Sequence, residues 1–187
     1  MNSKLMFFSN FLKNPTEVAA IAPSSKYLIN KIIKNIDFSK TKCIVEYGPG
    51  VGTITKAILE KLNQDAKLIC FESNSKFCSF LNKNMNDSRL VVINDTAEKL
   101  NFYLEKLDTG NIDYVLSGIP FSLIKKETKK DIIKKTECIL RESGKFIIYQ
   151  QYNWHLKKYL DTCFKNISTE VEIRNIPPTM LYVCEKT

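Results

Sequence analysis

Histidine and tryptophan occur once each, as His155 and Trp154, and no two of the six cysteines form a C-x-x-C pair. One histidine is poor material for a Cys–His nucleophile pair, and the cysteine spacing gives no support to a zinc ribbon or a thioredoxin-type motif. No apolar run approaches the roughly 18 residues of a membrane-spanning helix. The N-terminal LMFF is too short for the core of a secretory signal, and no small-residue cleavage site follows it, so the chain is expected inside the cell. Internal repeats and low-complexity tracts are absent. Glycine is also sparse, with six in the chain, yet Gly48, Gly50 and Gly52 crowd into one turn.

What is present describes an ordinary domain. A chain of 187 residues buries roughly two-thirds of its unfolded surface and needs no disulfide or metal staple. Cys43, Cys70 and Cys184 lie in strand-like apolar runs and read as buried, reduced thiols. Lysine and arginine total 28 against 20 acids, a formal charge of +8. That balance favours phosphate-rich partners, either nucleic acid or an anionic membrane face, and does not choose between them.

Strand-like and helix-like periods alternate along the chain. Residues 42–47 (KCIVEY), 67–72 (KLICFE), 90–93, 112–117 (IDYVLS) and 144–150 (GKFIIYQ) read as strands. Residues 53–62, 75–84, 96–107, 123–140 and 154–164 carry helical spacing between and after them. Such alternation implies a parallel sheet covered on both faces. Two further strands, near 168–174 and 180–184, are joined by Asn175-Ile176-Pro177-Pro178-Thr179, too short for a crossover helix, so they pair antiparallel. The fold expected is α/β, a Rossmann-like seven-stranded sheet, mostly parallel with an antiparallel last strand.

Residues 1–38 differ in character from 39–187, and a helical extension is expected ahead of the sheet domain. Residues 4–12 place Leu5, Phe8, Phe11 and Leu12 on one side with Lys4 and Lys13 at the flanks. Asn14-Pro15 breaks this segment. Ser24-Ser25 then offers a cap for a helix through Ile36.

Four segments carry chemistry. Glu46-Tyr47-Gly48-Pro49-Gly50-Val51-Gly52 stands between a strand and a helix, where glycines permit a sharp turn and close approach of a ligand to backbone N–H groups. The G-x-G-x-G spacing tilts away from a nicotinamide cofactor. Glu72 ends the second strand, placed to accept both hydroxyls of a ribose. Asn94-Asp95-Thr96 follows the third strand, where a side chain can meet an adenine amino group or, equally, cap the next helix. Ser117-Gly118-Ile119-Pro120-Phe121 follows the fourth strand at the same sheet edge.

These motifs resemble the class I S-adenosylmethionine-dependent methyltransferases. E-x-G-x-G-x-G is similar to their motif I, Glu72 to the motif II acid, Asp95 to the motif III acid, and 117–121 occupies motif IV. A closer resemblance is to bacterial phospholipid N-methyltransferases, through Ile21-Ala22-Pro23-Ser24-Ser25, VEYGPGVGTIT, SGIPF and Arg174-Asn175-Ile176-Pro177-Pro178 in that order. The rRNA adenine dimethyltransferases are similar as well, but carry Asn in motif IV, where this chain has Ser117-Gly118, and a C-terminal helical domain. The resemblance implies S-adenosylmethionine as methyl donor, S-adenosylhomocysteine as product and no metal. It implies cofactor contacts from Glu46, Tyr47, Gly48, Gly50, Gly52, Thr53, Glu72, Ser73, Asp95, Thr96, Ser117 and Gly118.

The activity expected is methylation of an amino-phospholipid amine of the phosphatidylethanolamine type, by a cytoplasmic protein held on the inner face of the cell membrane. The alternatives are an rRNA adenine N6-methyltransferase and a non-catalytic cofactor-binding protein that docks on membrane or RNA. Transfer from a sulfonium is an in-line displacement on a neutral nucleophile, served by proximity and alignment. A low-dielectric pocket helps the lipid ammonium lose its proton. The Ser117 carbonyl and the rings of Phe121, Tyr27 and Tyr152 are the groups expected to orient the amine, the rings as cation–π partners. Trp154 offers another ring, and His155 a proton acceptor. The N-terminal segment suits the bilayer interface. The lysines at 125, 126, 129, 130, 134 and 135 suit an anionic surface, partly offset by Glu127 and Asp131, while the same charges would attract RNA phosphates.

Overall fold

The computed structural model describes residues 24–151 and 154–187. The proposed interfacial helix at 4–12, Ile21-Ala22-Pro23 and Tyr152 therefore lie outside the described residues. Seven strands form one sheet: β1 (Cys43–Tyr47), β2 (Lys67–Phe71), β3 (Leu90–Ile93), β4 (Ile112–Ser117), β5 (Leu140–Gln151), β6 (Asn166–Glu172) and β7 (Thr179–Glu185). Their order is β3-β2-β1-β4-β5-β7-β6. β1 to β5 are parallel neighbours, and β7 runs antiparallel to both β5 and β6. The expected fold class holds, and the antiparallel strand is an interior one.

β1 and β4 are buried along their whole length, as strands covered on both faces must be. On one face α1 (Lys26–Ile33) and α2 (Thr53–Leu59) pack Leu28, Ile32, Ile54 and Ile58 against Ile44, Leu68, Leu116 and Leu181. On the other, α4 (Leu100–Leu107), α5 (Lys126–Ile139) and α6 (Lys157–Leu160) supply Leu104, Ile133 and Leu160 to a core with Tyr47, Phe71 and Phe146. α3 (Ser75–Asn84) buries Phe77, Cys78 and Leu81. α1 thus belongs to the layered core, although the sequence places it in the extension. Its cap forms as expected, with the Ser25 hydroxyl accepting from the Leu28 amide at 3.3 Å.

Several boundaries differ from the sequence reading. Residues 121–123 make a 3₁₀ turn, and α5 starts only at Lys126 because Ile124 and Lys125 are extended. β5 begins at Leu140, directly after α5, with Ser143 at φ 61 and a register shift against β4. The segment expected as one helix from 96 is a 3₁₀ turn followed by α4. All six cysteines are free, and Cys43, Cys70, Cys78 and Cys184 are buried. No described helix is long and apolar enough to cross a membrane.

The chain steps outward from β1 to β3, then returns to lay β4 on the other side of β1. The loops after β1 and β4 diverge at that switch point and leave a crevice at the carboxyl edge of the sheet.

Candidate active site

The loop after β1 holds Gly48, Gly50 and Gly52 at φ 66, 56 and 77, a region that costs other residues about 1–2 kcal/mol. The Gly48 amide donates to the Phe71 carbonyl at 2.8 Å, and the Gly118 amide to the Tyr47 carbonyl at 2.9 Å. These bonds carry the ladder past the strand ends on both sides of β1. A Cβ at Gly118 would stand 3.0 Å from the Gly48 carbonyl oxygen, so the two loops touch there.

Beyond them opens a cleft of about 420 Å³, lined by Gly48, Gly50, Glu72, Ser73, Asn74, Asp95, Thr96, Glu98 and Gly118, with Phe71, Phe77, Ile119, Pro120, Ile124 and Ile132 as apolar walls. Glu72 bridges its upper side: one carboxylate oxygen accepts from the Gly50 amide at 3.0 Å, the other from the Asn74 amide at 2.9 Å. Burial raises its pKa above the ordinary carboxylate value, and these amides oppose the rise. Asn94 secures the backbone beneath, donating to the carbonyls of Glu72 and Ser73 at 2.9 and 3.3 Å. Asp95 accepts from the Thr96 amide at 2.7 Å and from the Tyr103 hydroxyl at 3.1 Å. The carboxylate raises the pKa of that hydroxyl. Thr96, not Asp95, occupies the cap position of the following turn, and its side chain makes no capping bond.

Of the residues nominated from sequence, Gly48, Gly50, Glu72, Ser73, Asp95, Thr96 and Gly118 meet in this cleft. Glu46, Tyr47, Gly52, Thr53, Ser117, Phe121 and Tyr27 do not line it. Glu46 and Tyr47 are successive strand residues, so their side chains leave opposite faces of a sheet covered on both. Glu46 is fully buried, accepting from Thr55 Oγ1 at 2.7 Å, Cys70 Sγ at 3.6 Å and the Tyr149 hydroxyl at 3.3 Å. Burial pushes its pKa up to about 7 against the pull of those three donors. The Tyr47 hydroxyl meets Thr136 at 3.0 Å in the opposite core.

Gly52 starts α2 from behind the loop. Ser117 is buried, its hydroxyl accepting from the Ile119 amide at 3.3 Å. The 3₁₀ turn rotates Phe121 inward, where its ring is wholly buried and its amide donates to Gln150 Oε1 at 3.2 Å. This placement removes Phe121 from the surface where a substrate amine would meet it. Tyr27 lies on α1 with the Arg174 guanidinium 4.1 Å from its ring centre, outside the cleft. Asn74, Glu98 and Thr128 line the cleft as well. Asn74 is legible in the sequence as a helix cap two residues past Glu72, whereas Thr128 comes from the first turn of α5, which starts three residues later than the periodicity implies.

The ribosomal RNA adenine dimethylase family matches residues 2–136, from the N-terminus through most of α5. The chain belongs to that family. It is an S-adenosylmethionine-dependent methyltransferase. Over 185 residues the enzyme is 28% identical to an ornithine lipid N-methyltransferase of Singulisphaera acidiphila, covering 98% of this chain and 96% of that protein. It is 29% identical over 130 residues to the ribosomal RNA small subunit methyltransferase A of Borreliella burgdorferi, covering 64% of this chain and 43% of the relative. The chain thus spans less than half the length of that relative. In fold it is similar to a precorrin-6y C5,15-methyltransferase of Geobacter metallireducens, with a TM-score of 0.69 at 11% identity over 87% and 89% of the two chains.

The donor set of the cleft fits S-adenosylmethionine. A pocket of this size is in the range of small-molecule sites. Its acids stand at separate points, and each carboxylate oxygen of Glu72 and Asp95 retains a lone pair beyond the amide or hydroxyl it already accepts from. A ribose diol and an exocyclic amine are donors of the kind such oxygens take, and the apolar walls suit a purine. Among the described residues no cluster could hold a metal ion.

Proposed function

We propose that this enzyme methylates the amine of an amino lipid, of the phosphatidylethanolamine or ornithine-lipid kind, at an anionic membrane surface. The observation that carries this reading is the extent of the likeness to the ornithine lipid enzyme, which runs through β5, β6 and β7. The character of the cleft supports it. Where the acceptor must approach, the loop after β4 offers Ile119, Pro120 and Ile124, and no side-chain amide to hold a nucleobase.

In this reading Gly48, Gly50 and Gly118 carry the backbone close to the cofactor, Glu72 accepts the ribose hydroxyls, and Asp95 with Thr96 meets the adenine edge. Glu46 holds the glycine loop from behind through Thr55 and Tyr149. Bound S-adenosylmethionine supplies an electrophilic methyl group. The apolar wall at 119–124 excludes water and favours the neutral amine, because burial disfavours the ammonium form. The ring of Tyr152 remains the candidate for orienting it. The exposed lysines at 125, 126, 130 and 134 add electrostatic attraction to such a surface.

A second reading, adenine methylation in rRNA, is favoured by the family match itself. Methyl-labelled cofactor incubated with the enzyme, an amino lipid in detergent micelles and total rRNA separates the two. Label migrating with a methylated amino lipid is the expected result. Label in the RNA fraction, with none in lipid, overturns the lipid reading.

A further inference from the structure

Six large apolar side chains are exposed among the described residues: Tyr27, Phe102, Leu123, Trp154, Ile173 and Ile176. Four of them share one edge of the sheet. Leu123 follows β4 and Trp154 follows β5, both at the carboxyl ends of parallel strands. Ile173 and Ile176 lie in the β6–β7 turn. The pairing of Gln151 with Thr179 and of Glu172 with Thr179 brings that turn to the same edge. Tyr27 joins the turn through Arg174, whose guanidinium covers its ring. Phe102 stands apart on α4.

The rim therefore crosses β4, β5, β7 and β6, the half of the sheet on the far side of the switch point from β2 and β3. It begins where Ile119, Pro120 and Ile124 wall the cleft. Leu123 is 73% exposed, Trp154 55%, Ile173 74% and Ile176 85%. Aliphatic side chains left this open are unfavourable in water and offer nothing to a phosphate backbone or a base edge. Lys125, Lys126, Lys157 and Lys158 are exposed beside them. Lys157 is paired with Asp161 at 2.7 Å, and Glu127 is the acid nearest Lys125 and Lys126 in the chain. An apolar strip with basic flanks and an interfacial tryptophan matches an anionic bilayer surface.

We infer that this rim is the face by which the enzyme sits on the membrane, with Leu123, Ile173 and Ile176 entering the headgroup boundary and the cleft opening directly onto it. The inference rests on the amino-lipid reading and deepens it: the lipid reaches the cleft sideways along the rim without leaving the interface.

Trp154 is the only tryptophan and reports on the rim by its own fluorescence. The experiment titrates the full chain with phosphatidylethanolamine–phosphatidylglycerol vesicles, with and without brominated acyl chains. It repeats this with Leu123→Ser, Ile173→Ser and Ile176→Ser combined, each at an exposed position. A blue-shifted Trp154 emission, quenched by the brominated chains, together with an at least ~tenfold weaker partition of the triple variant, is the expected result. Calorimetric affinity for S-adenosylmethionine should stay within about threefold of wild type, since none of the three lines the cleft.

Vesicle binding that leaves Trp154 unshifted and is unchanged in the triple variant overturns the inference and moves docking to another surface, such as residues 1–23. Self-association or RNA binding that the triple variant abolishes, without vesicle binding, overturns it as well and assigns the rim to a second copy or to RNA. If micellar lipid accepts no methyl group from the wild-type enzyme, the amino-lipid reading itself fails, whatever the vesicles show.

Discussion

The backbone N–H of Ser25 donates to Asn175 Oδ1 at 2.8 Å across 150 residues of chain. Two short motifs, one before the first strand and one before the last, therefore form a single joint. Asn175 is buried, and its amide nitrogen donates onward to the Pro177 carbonyl at 3.0 Å and to Thr179 Oγ1 at 2.9 Å. One side chain fastens the start of α1 to the β6–β7 turn. Asn175→Ala leaves these partners without it, at about 2–3 kcal/mol in all. A calorimetric melting temperature lower by about 5–10 °C is expected, and an unchanged one would mean that the joint is replaced by water at no cost.

Two glycines at similar φ separate strain from crowding. Gly52 lies at φ 77, and a Cβ there would stand 2.6 Å from Leu81 Cδ2 and collide with Met85 Cε. Gly110, at φ 63, has nothing within 4 Å of that position. Gly110→Ala should cost about 1 kcal/mol of backbone strain. Gly52→Ala should cost about 2–3 kcal/mol, since the side-chain tips of Leu81 and Met85 must also turn aside. Urea unfolding of both variants checks this, and equal costs would remove the argument that Gly52 is there for space.

The buried Glu46 predicts a pH dependence of stability. Its pKa of about 7 in the folded protein exceeds the usual 4.5, so folding takes up a proton. The stabilisation is complete below about pH 4.5 and is lost as pH rises through about 7. Glu46→Gln removes the titration. Between pH 5 and pH 8 the variant should gain on the wild type by about 3 kcal/mol at most, each pH unit of separation being worth about 1.4. Urea midpoints at the two pH values measure this, and a difference between the two proteins that does not change with pH would refute the role of the carboxyl.

Glu72→Ala should weaken S-adenosylmethionine binding at least ~tenfold by calorimetry, a loss of one charge-assisted contact or more. It also frees the Gly50 and Asn74 amides, so the apo protein should melt only slightly lower. Unaltered affinity would reject the cleft as the cofactor site.

Much of the fold was legible because long-range demands coincide with local ones. β3, β4 and α3 begin and end where alternation and period place them. What was not legible depends on contacts distant in sequence. β5 extends back to Leu140 because it finds Ile112 as a partner. In the site, the backbone positions and strand-end acids were readable, since topology alone brings strand ends together. The fate of Glu46 and Phe121 was not. A motif specifies that a carboxylate or ring stands near a strand end, whereas its direction is set by the pleat for Glu46 and by the 3₁₀ turn for Phe121. Both directions lead into the core.

β7 follows β6 in the chain yet lies inside it in the sheet. The sheet cannot be assembled in order of synthesis. Until residues 179–185 have emerged, β5 carries an open ladder edge and β6 has no neighbour at all, and unpaired edges of this kind invite association with other chains. The β6–β7 hairpin can close locally and then dock as a unit, with β7 forming its inner strand. A nascent chain halted before β7 is therefore an aggregation hazard and not a partly working enzyme, and this ties completion of that half of the sheet to β7.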